Sequence, residues 1–460
     1  MRVHRGVALV AVAALAVGAC GGGGGGGSDT TSGRCPLDAL AQADQPVDIT
    51  IWHQMSANNG RVFAEIIDDF NASQGEVRVS VVDNSAEGSS LPKYKAGLST
   101  GDLPDVVQLE ETTLQTMIDS QSTLPVEACV KADGYDLSDF LPRAIAYYTV
   151  DGVLRSMPYN VSNPILFYDK PTFEKAGLDP DRPPTTLEEV REYSQQIVDS
   201  GAAKHGIAFR MAPFLNEFWY SKDGKLYAAP NNGREQRATR ALLDTPAGRE
   251  LWTWLDEMVA SGLGLYTSSA EGDATHLLAL GTHDAAMTIE GSGVLGPIMA
   301  VLNSGQYPGV DVGTAPMPGL RPGGGVQTAE GSLWISNRSS PAEQAAAWKL
   351  IKHLVSTESL IRLHVETSYV PIRTSVAEST TVQELWAEQP EYRTAYDQLA
   401  KGPTTPATTG PVIGAFPEVR EAVRRGFEAM LVGDSSAREA LAQAQRNADE
   451  AIRDYNERIG

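Results

Sequence analysis

Several signatures are missing from this chain, and each absence removes a class of function. No Gly-x-Ser-x-Gly nucleophile elbow occurs; Ser292 has Glu290 and Val294 where the glycines belong. There is no Walker loop and no His-Glu-x-x-His helix. The seven histidines are scattered without metal-ligand spacing. No catalysis, cofactor or metal is therefore expected. With 58 acids a glycosidase-like carboxylate pair can always be imagined, but nothing singles one out. A basic surplus is absent too: 37 Lys and Arg stand against 58 acids, a net charge of −21. Nucleic acid and anionic lipid are poor partners for such a chain. No acidic block suggests a disordered tail, no internal repeat is present, and no apolar run after the N-terminal segment reaches membrane-spanning length.

Cysteine is scarce, and its three positions are informative. Arg2, His4 and Arg5 precede an apolar run, Gly6 to Val17, that is too short to span a bilayer. The run ends Val17-Gly18-Ala19-Cys20, the form of a lipobox, so residues 1–19 read as a lipoprotein signal and Cys20 as the lipidated residue. An ordinary signal peptide with a chance cysteine is the alternative. Glycines 21–27 open a tether over 20–34 that cannot pack a core. The remaining pair, Cys35 and Cys129, reads as a disulfide in an exported protein.

The body alternates strands and helices. Strand patterns at 47–52, 77–81 and 105–109 are separated by helical stripes at 61–73 and 91–98. This order predicts a parallel sheet with right-handed crossovers, with ligands at loops 53–60, 83–90 and 110–114 beyond the strand ends. An apolar run, Pro164 to Tyr168, reads as a buried strand. Thr186 with Glu189, Ser340 with Glu343, and Ser436 with Glu439 form capping boxes for three helices.

One stretch carries a family signature. Phe167-Tyr-Asp-Lys170, Ala176-Gly-Leu-Asp-Pro-Asp-Arg-Pro-Pro184 and Thr185-Thr-Leu-Glu-Glu189 resemble the hinge-to-second-domain crossover of solute-binding proteins of bacterial ABC importers. Within the carbohydrate-binding group the chain resembles the glycerol-3-phosphate-binding branch, through segments 52–55, 99–111, 157–170, 285–295, 331–336, 367–373 and 414–420. The resemblance implies an α/β, two-lobed periplasmic-binding-protein-like fold of class II with discontinuous lobes. They would be 35–160 plus 330–368 and 161–329 plus 369–460, with chain crossovers near 158–164, 326–332 and 367–371. It also implies an extracytoplasmic, lipid-anchored receptor, expected as a monomer, that binds a small polyhydroxylated solute, closes by hinge motion and docks on permease subunits. A secreted carbohydrate-active lipoprotein enzyme and a ligand-sensing subunit are the alternatives.

Carried over residue by residue, the resemblance makes Glu111 a carboxylate for ligand hydroxyls, Ser162 a cleft serine, Ser292 and Gly331 polar contacts, and Tyr369 a crossover aromatic. Trp219 is a candidate platform or core residue, and His53 faces the cleft or the core. The chain departs from the branch where an arginine anchors phosphate: Val412 stands there. Arg210 and Arg373 are possible substitutes. Without a cation, burying phosphate carries a large desolvation cost, so neutral polyols are expected to bind better than glycerol 3-phosphate.

Overall fold

The computed structural model describes residues 34–460 except 56, 88–89, 211 and 268–273. The signal segment, Cys20 and the glycine run lie outside the described residues. The first seven strands are β1 (Val47–His53), β2 (Val77–Asp83), β3 (Val106–Glu110), β4 (Thr123–Leu124), β5 (Thr149–Val150), β6 (Val153–Leu154) and β7 (Met157–Ser162). The rest are β8 (Pro164–Asp169), β9 (His205–Phe209), β10 (Ala228–Ala229), β11 (Arg240–Ala241), β12 (Gly264–Tyr266), β13 (Ala285–Gly291), β14 (Val312–Pro316) and β15 (Ala329–Ser336).

Two sheets organise the molecule. The first runs β2-β1-β3-β15-β4, with β7 also paired to β15. Its β1, β2 and β3 are parallel, as the alternation of strands and helices predicts, and β15 runs antiparallel to β3. The second runs β12-β9-β13-β8-β14, with β8 antiparallel to both its neighbours. Asn163 alone separates β7 in the first sheet from β8 in the second, and the chain returns through 317–328 to β15. Both β7 and β8 are buried along their whole length, which is why Pro164 to Tyr168 is continuously apolar rather than alternating. The buried apolar residues form two main clusters, the first of which also takes Ile165 and Phe167 from β8. Trp52, Phe63, Trp334 and Trp348 belong to the first, and Phe209, Trp252, Phe416 and Phe427 to the second.

Local chemistry places the helices. All three capping boxes form, at Thr186, Ser340 and Ser436, each opening a long amphipathic helix: Leu187–Ser200, Pro341–Leu354 and Ala437–Ile459. Such caps contribute about 1 kcal/mol each. The helix expected from residue 61 starts earlier, as Ala57–Ser73. Its first turn is fastened by tertiary bonds, Asn58 Nδ2 to Glu366 O (2.7 Å) and Asn59 Nδ2 to Gly293 O (3.2 Å), which the helical stripe cannot reveal. Cys35 and Cys129 are bonded, with Cα atoms 4.7 Å apart, tying the start of the body to helix Val126–Asp133. Among the described residues no helix is long and apolar enough to cross a membrane, and no cluster of His, Cys, Asp or Glu could hold a metal ion.

Candidate functional site

The strand ends of the first sheet converge on a buried polar network. β3 ends at Glu110, and Glu111 follows in a short 3-10 turn, only 3% exposed. Its Oε2 accepts the backbone N–H of Glu330 (2.7 Å) on β15. The Glu330 carboxylate accepts Ser162 Oγ at 2.6 Å and Asn160 Nδ2 at 3.3 Å, both from β7. Asn160 Oδ1 is held in turn by Gln108 Nε2 (3.2 Å). The Tyr369 hydroxyl joins Glu330, Asn160 and Asn59. Gly331 makes this packing possible: a Cβ there would lie 2.1 Å from Asn160 Oδ1 and 2.2 Å from Gln108 Nε2.

The second sheet contributes the opposing wall. Ser292 and Gly293 follow β13. Ser292 N–H donates to Asn163 O (2.9 Å), and its carbonyl accepts Ser368 Oγ (2.9 Å). A Cβ at Gly293 would come within 2.9 Å of both Glu330 Oε1 and the Tyr369 ring, so only glycine lets this loop approach so closely. Glu111, Ser162, Ser292, Gly331 and Tyr369 are thus brought to one locus. The structure does not bring Trp219 or His53 to it. Trp219 is 1% exposed in the second core and donates its indole N–H to Pro318 O (3.2 Å). His53 is buried in the first core against the edge of Phe63, ring centroids 4.9 Å apart, and burial pushes its pKa down.

Sequence reasoning did not single out three further members, Arg420, Glu217 and Glu330; a fourth, Asn160, falls in the stretch 160–163 that the family resemblance puts at the mouth of the cleft. Arg420, from helix Phe416–Leu431, contacts Glu111 Oε1 (2.5 Å), Glu217 Oε1 (2.6 Å) and Glu110 Oε2 (3.8 Å). Glu217, from helix Pro213–Lys222, is fully buried. Asn160 and Glu330 complete the set. Signals existed for each. Arg420 ends the segment Gly414–Arg420, and Glu330 adjoins Gly331. Glu217 lies two positions before Trp219, which on a helix is nearly the opposite face.

Electrostatically the site is acidic. Among the described residues it holds four carboxylates, Glu110, Glu111, Glu217 and Glu330, and one guanidinium, Arg420, which contacts the first three. Burial pushes Glu217 up to about 7 against the opposing pull of Arg420. Burial also holds Glu330 at about 7, with Glu111 and Glu110 adding to the rise and the Ser162 and Tyr369 hydrogen bonds opposing it. Val412, at the position of the absent phosphate anchor, is 1% exposed in the first core. Both substitute cations are already paired with acids. Arg210 pairs with Glu290 (3.1 Å), and Arg373 with Asp139 (2.7 Å) and Val355 O (2.9 Å). Such a site can grip hydroxyl donors through charge-assisted hydrogen bonds.

Two sheets, joined by short crossovers that carry a polar network between them, define a two-lobed binding protein of class II. Residues 65–393 match the family model for bacterial extracellular solute-binding proteins, and the chain belongs to that family. It is 28% identical over 418 residues to the sn-glycerol-3-phosphate-binding periplasmic protein UgpB of Rhizobium meliloti, covering 89% of this chain and 95% of that protein. In fold it is similar to the sugar-binding protein MalE from Xanthomonas citri (TM-score 0.73, 21% identity, covering 90% of this chain and 99% of that one). It is likewise similar to UgpB from Mycobacterium tuberculosis in complex with glycerophosphocholine (TM-score 0.70, 20% identity, 91% and 100%). The chain is an extracytoplasmic solute-binding protein of the kind that serves ABC importers.

Proposed function

We propose that this receptor captures an uncharged polyhydroxylated solute, a sugar or polyol, between its lobes. The observation that carries the reading is the charge balance of the site: four carboxylates and one arginine already engaged by three of them, with Val412 where a phosphate anchor would stand. Hydroxyl groups satisfy carboxylates at little cost. A buried phosphate would face like charges in a medium where repulsion is poorly screened. The curated relatives are named for sn-glycerol 3-phosphate, and at these residues this chain's solute differs from theirs.

The lobes are 35–160 plus 330–368 and 161–329 plus 369–460, hinging on the three crossovers. No bond is made or broken; solute shifts an open–closed equilibrium, and the closed form is presented to permease subunits. Cys20 carries the lipid that holds a monomeric receptor at the membrane's outer face. Calorimetric titration with neutral sugars and polyols beside sn-glycerol 3-phosphate tests the solute class. Micromolar binding of the phosphate with none of the neutral solutes overturns it.

A further inference from the structure

Glu330 stands out in backbone, in surroundings and in charge. Its φ is +69°, in the left-handed region that a side chain with a Cβ adopts at a cost. It sits where the β15–β7 register slips between Glu330 and Ser332, an irregularity of the kind that re-aims a side chain. The next residue is glycine, which tolerates such a backbone freely, yet the strained position holds a long acid. Strain of this sort persists where the surroundings enforce it, and it clusters at functional sites.

The carboxylate so placed meets every passage between the sheets. Ser162 (2.6 Å) and Asn160 (3.3 Å) reach it from β7. The Tyr369 hydroxyl reaches it from the third crossover, and the Gly293 loop closes on it from the second sheet. Its own N–H is fixed by Glu111 and its own carbonyl by Tyr148 OH (2.7 Å). Arg420 spends its contacts on Glu110, Glu111 and Glu217, and among the described residues no Lys or Arg pairs with Glu330. An acid with no counterion, at the line where the two walls meet, accepts donors and repels anions.

We propose that Glu330 is the specificity-determining residue of the cleft: it takes hydrogen-bond donors from the solute and keeps out solutes that present phosphate or carboxylate at that point. This rests on the reading of the chain as a receptor for an uncharged polyol, and it assigns the discrimination to one side chain. Burial holds the carboxyl at about 7, so near neutral pH it can both accept from and donate to hydroxyls. A purely structural clamp between crossovers is the competing role. It predicts that removing Glu330 weakens the fold and all binding alike. Specificity predicts an inversion instead.

The test compares wild type, Glu330→Gly and Glu330→Gln by thermal shift and calorimetry. The probes are neutral sugars and polyols, each beside its own phosphate ester. In E330G the neutral solute is expected to lose roughly ten- to hundredfold in affinity while its phosphate ester gains at least about tenfold. E330G should melt no lower than wild type, because glycine takes the +69° backbone without strain. E330Q should keep the neutral solute within a few-fold, and it should raise the melting temperature more at pH 8 than at pH 5, where the wild-type carboxyl is already protonated. E330G that melts lower and binds both probe classes equally weakly overturns the proposal in favour of the clamp. Neutral solutes bound by wild type, with no gain of esters in E330G, overturn the role of Glu330 and leave the solute class standing. Esters gained by E330G while no neutral solute binds wild type overturn the solute class alone. Silence from all three proteins overturns both.

Discussion

Removing Arg420 exposes the electrostatic design of the cleft. In Arg420→Met the stem's packing is retained and the guanidinium is lost. Two carboxylates then stay behind without a counterion: Glu111, 3% exposed at its side chain, and Glu217, fully buried. Breaking a buried pair this way costs about 3–5 kcal/mol, because the orphaned charges cannot recover their hydration. For a chain of 460 residues the unfolding entropy is roughly 1 kcal/mol per kelvin, so the melting temperature should fall by about 3–5 °C. The loss depends on pH, and its sign follows from Glu217. Its folded pKa is already raised to about 7, and losing the pull of Arg420 raises it further. A raised carboxyl favours the folded state below its unfolded pKa, and that stability is lost as pH climbs toward the folded value. The variant should therefore lose more at pH 8 than at pH 5, where Glu217 is neutral with or without the arginine. Calorimetry at both pH values checks this, and Arg420→Met combined with Glu217→Gln should recover part of the pH 8 loss. A drop equal at both pH values, or one under about 1 °C, would refute the account.

Opening the Cys35–Cys129 bond, whose partners are 94 positions apart, should cost up to about 4–5 kcal/mol in the loop-entropy model; melting with and without reductant, beside Cys129→Ser, reads this out, and identical curves would argue against it. Gly331→Ala should drive a methyl into the Asn160–Gln108 amide pair and cost about 1–3 kcal/mol with weakened solute binding, measured by denaturant unfolding and calorimetry. A variant indistinguishable from wild type would show that the pair yields freely.

Much of the fold was legible because its signals are local. A capping box needs only two residues three apart, and all three formed. The apolar run before Asp169 announces a buried strand, and the strand-helix-strand order after Val47 announces a parallel pair. The early start of helix Ala57–Ser73 was not legible, because Glu366 and Gly293, distant in sequence, fasten its first turn. At the site, neighbours were mistaken for one another. Trp219 drew attention as an aromatic, yet its helix turns it into the core and leaves Glu217 toward Arg420. Gly331 is legible in the sequence and Glu330 beside it is not, since nothing in a Glu-Gly dipeptide says which residue takes the left-handed backbone.

The sequence by itself determined the class of molecule: an exported, acidic, α/β receptor with its helices punctuated by caps and its cysteines paired. The receptor class rests on the resemblance to solute-binding proteins, and the other properties on composition, periodicity and short motifs, which act over a few residues or over the whole chain. Only the tertiary structure decided the chemistry of the cleft. Glu111, Glu217, Glu330 and Arg420 lie up to 309 positions apart. Their burial, their shifted titration and the scarcity of cations among them exist only once two sheets close around them, because the cost of a buried charge is set by what surrounds it in space.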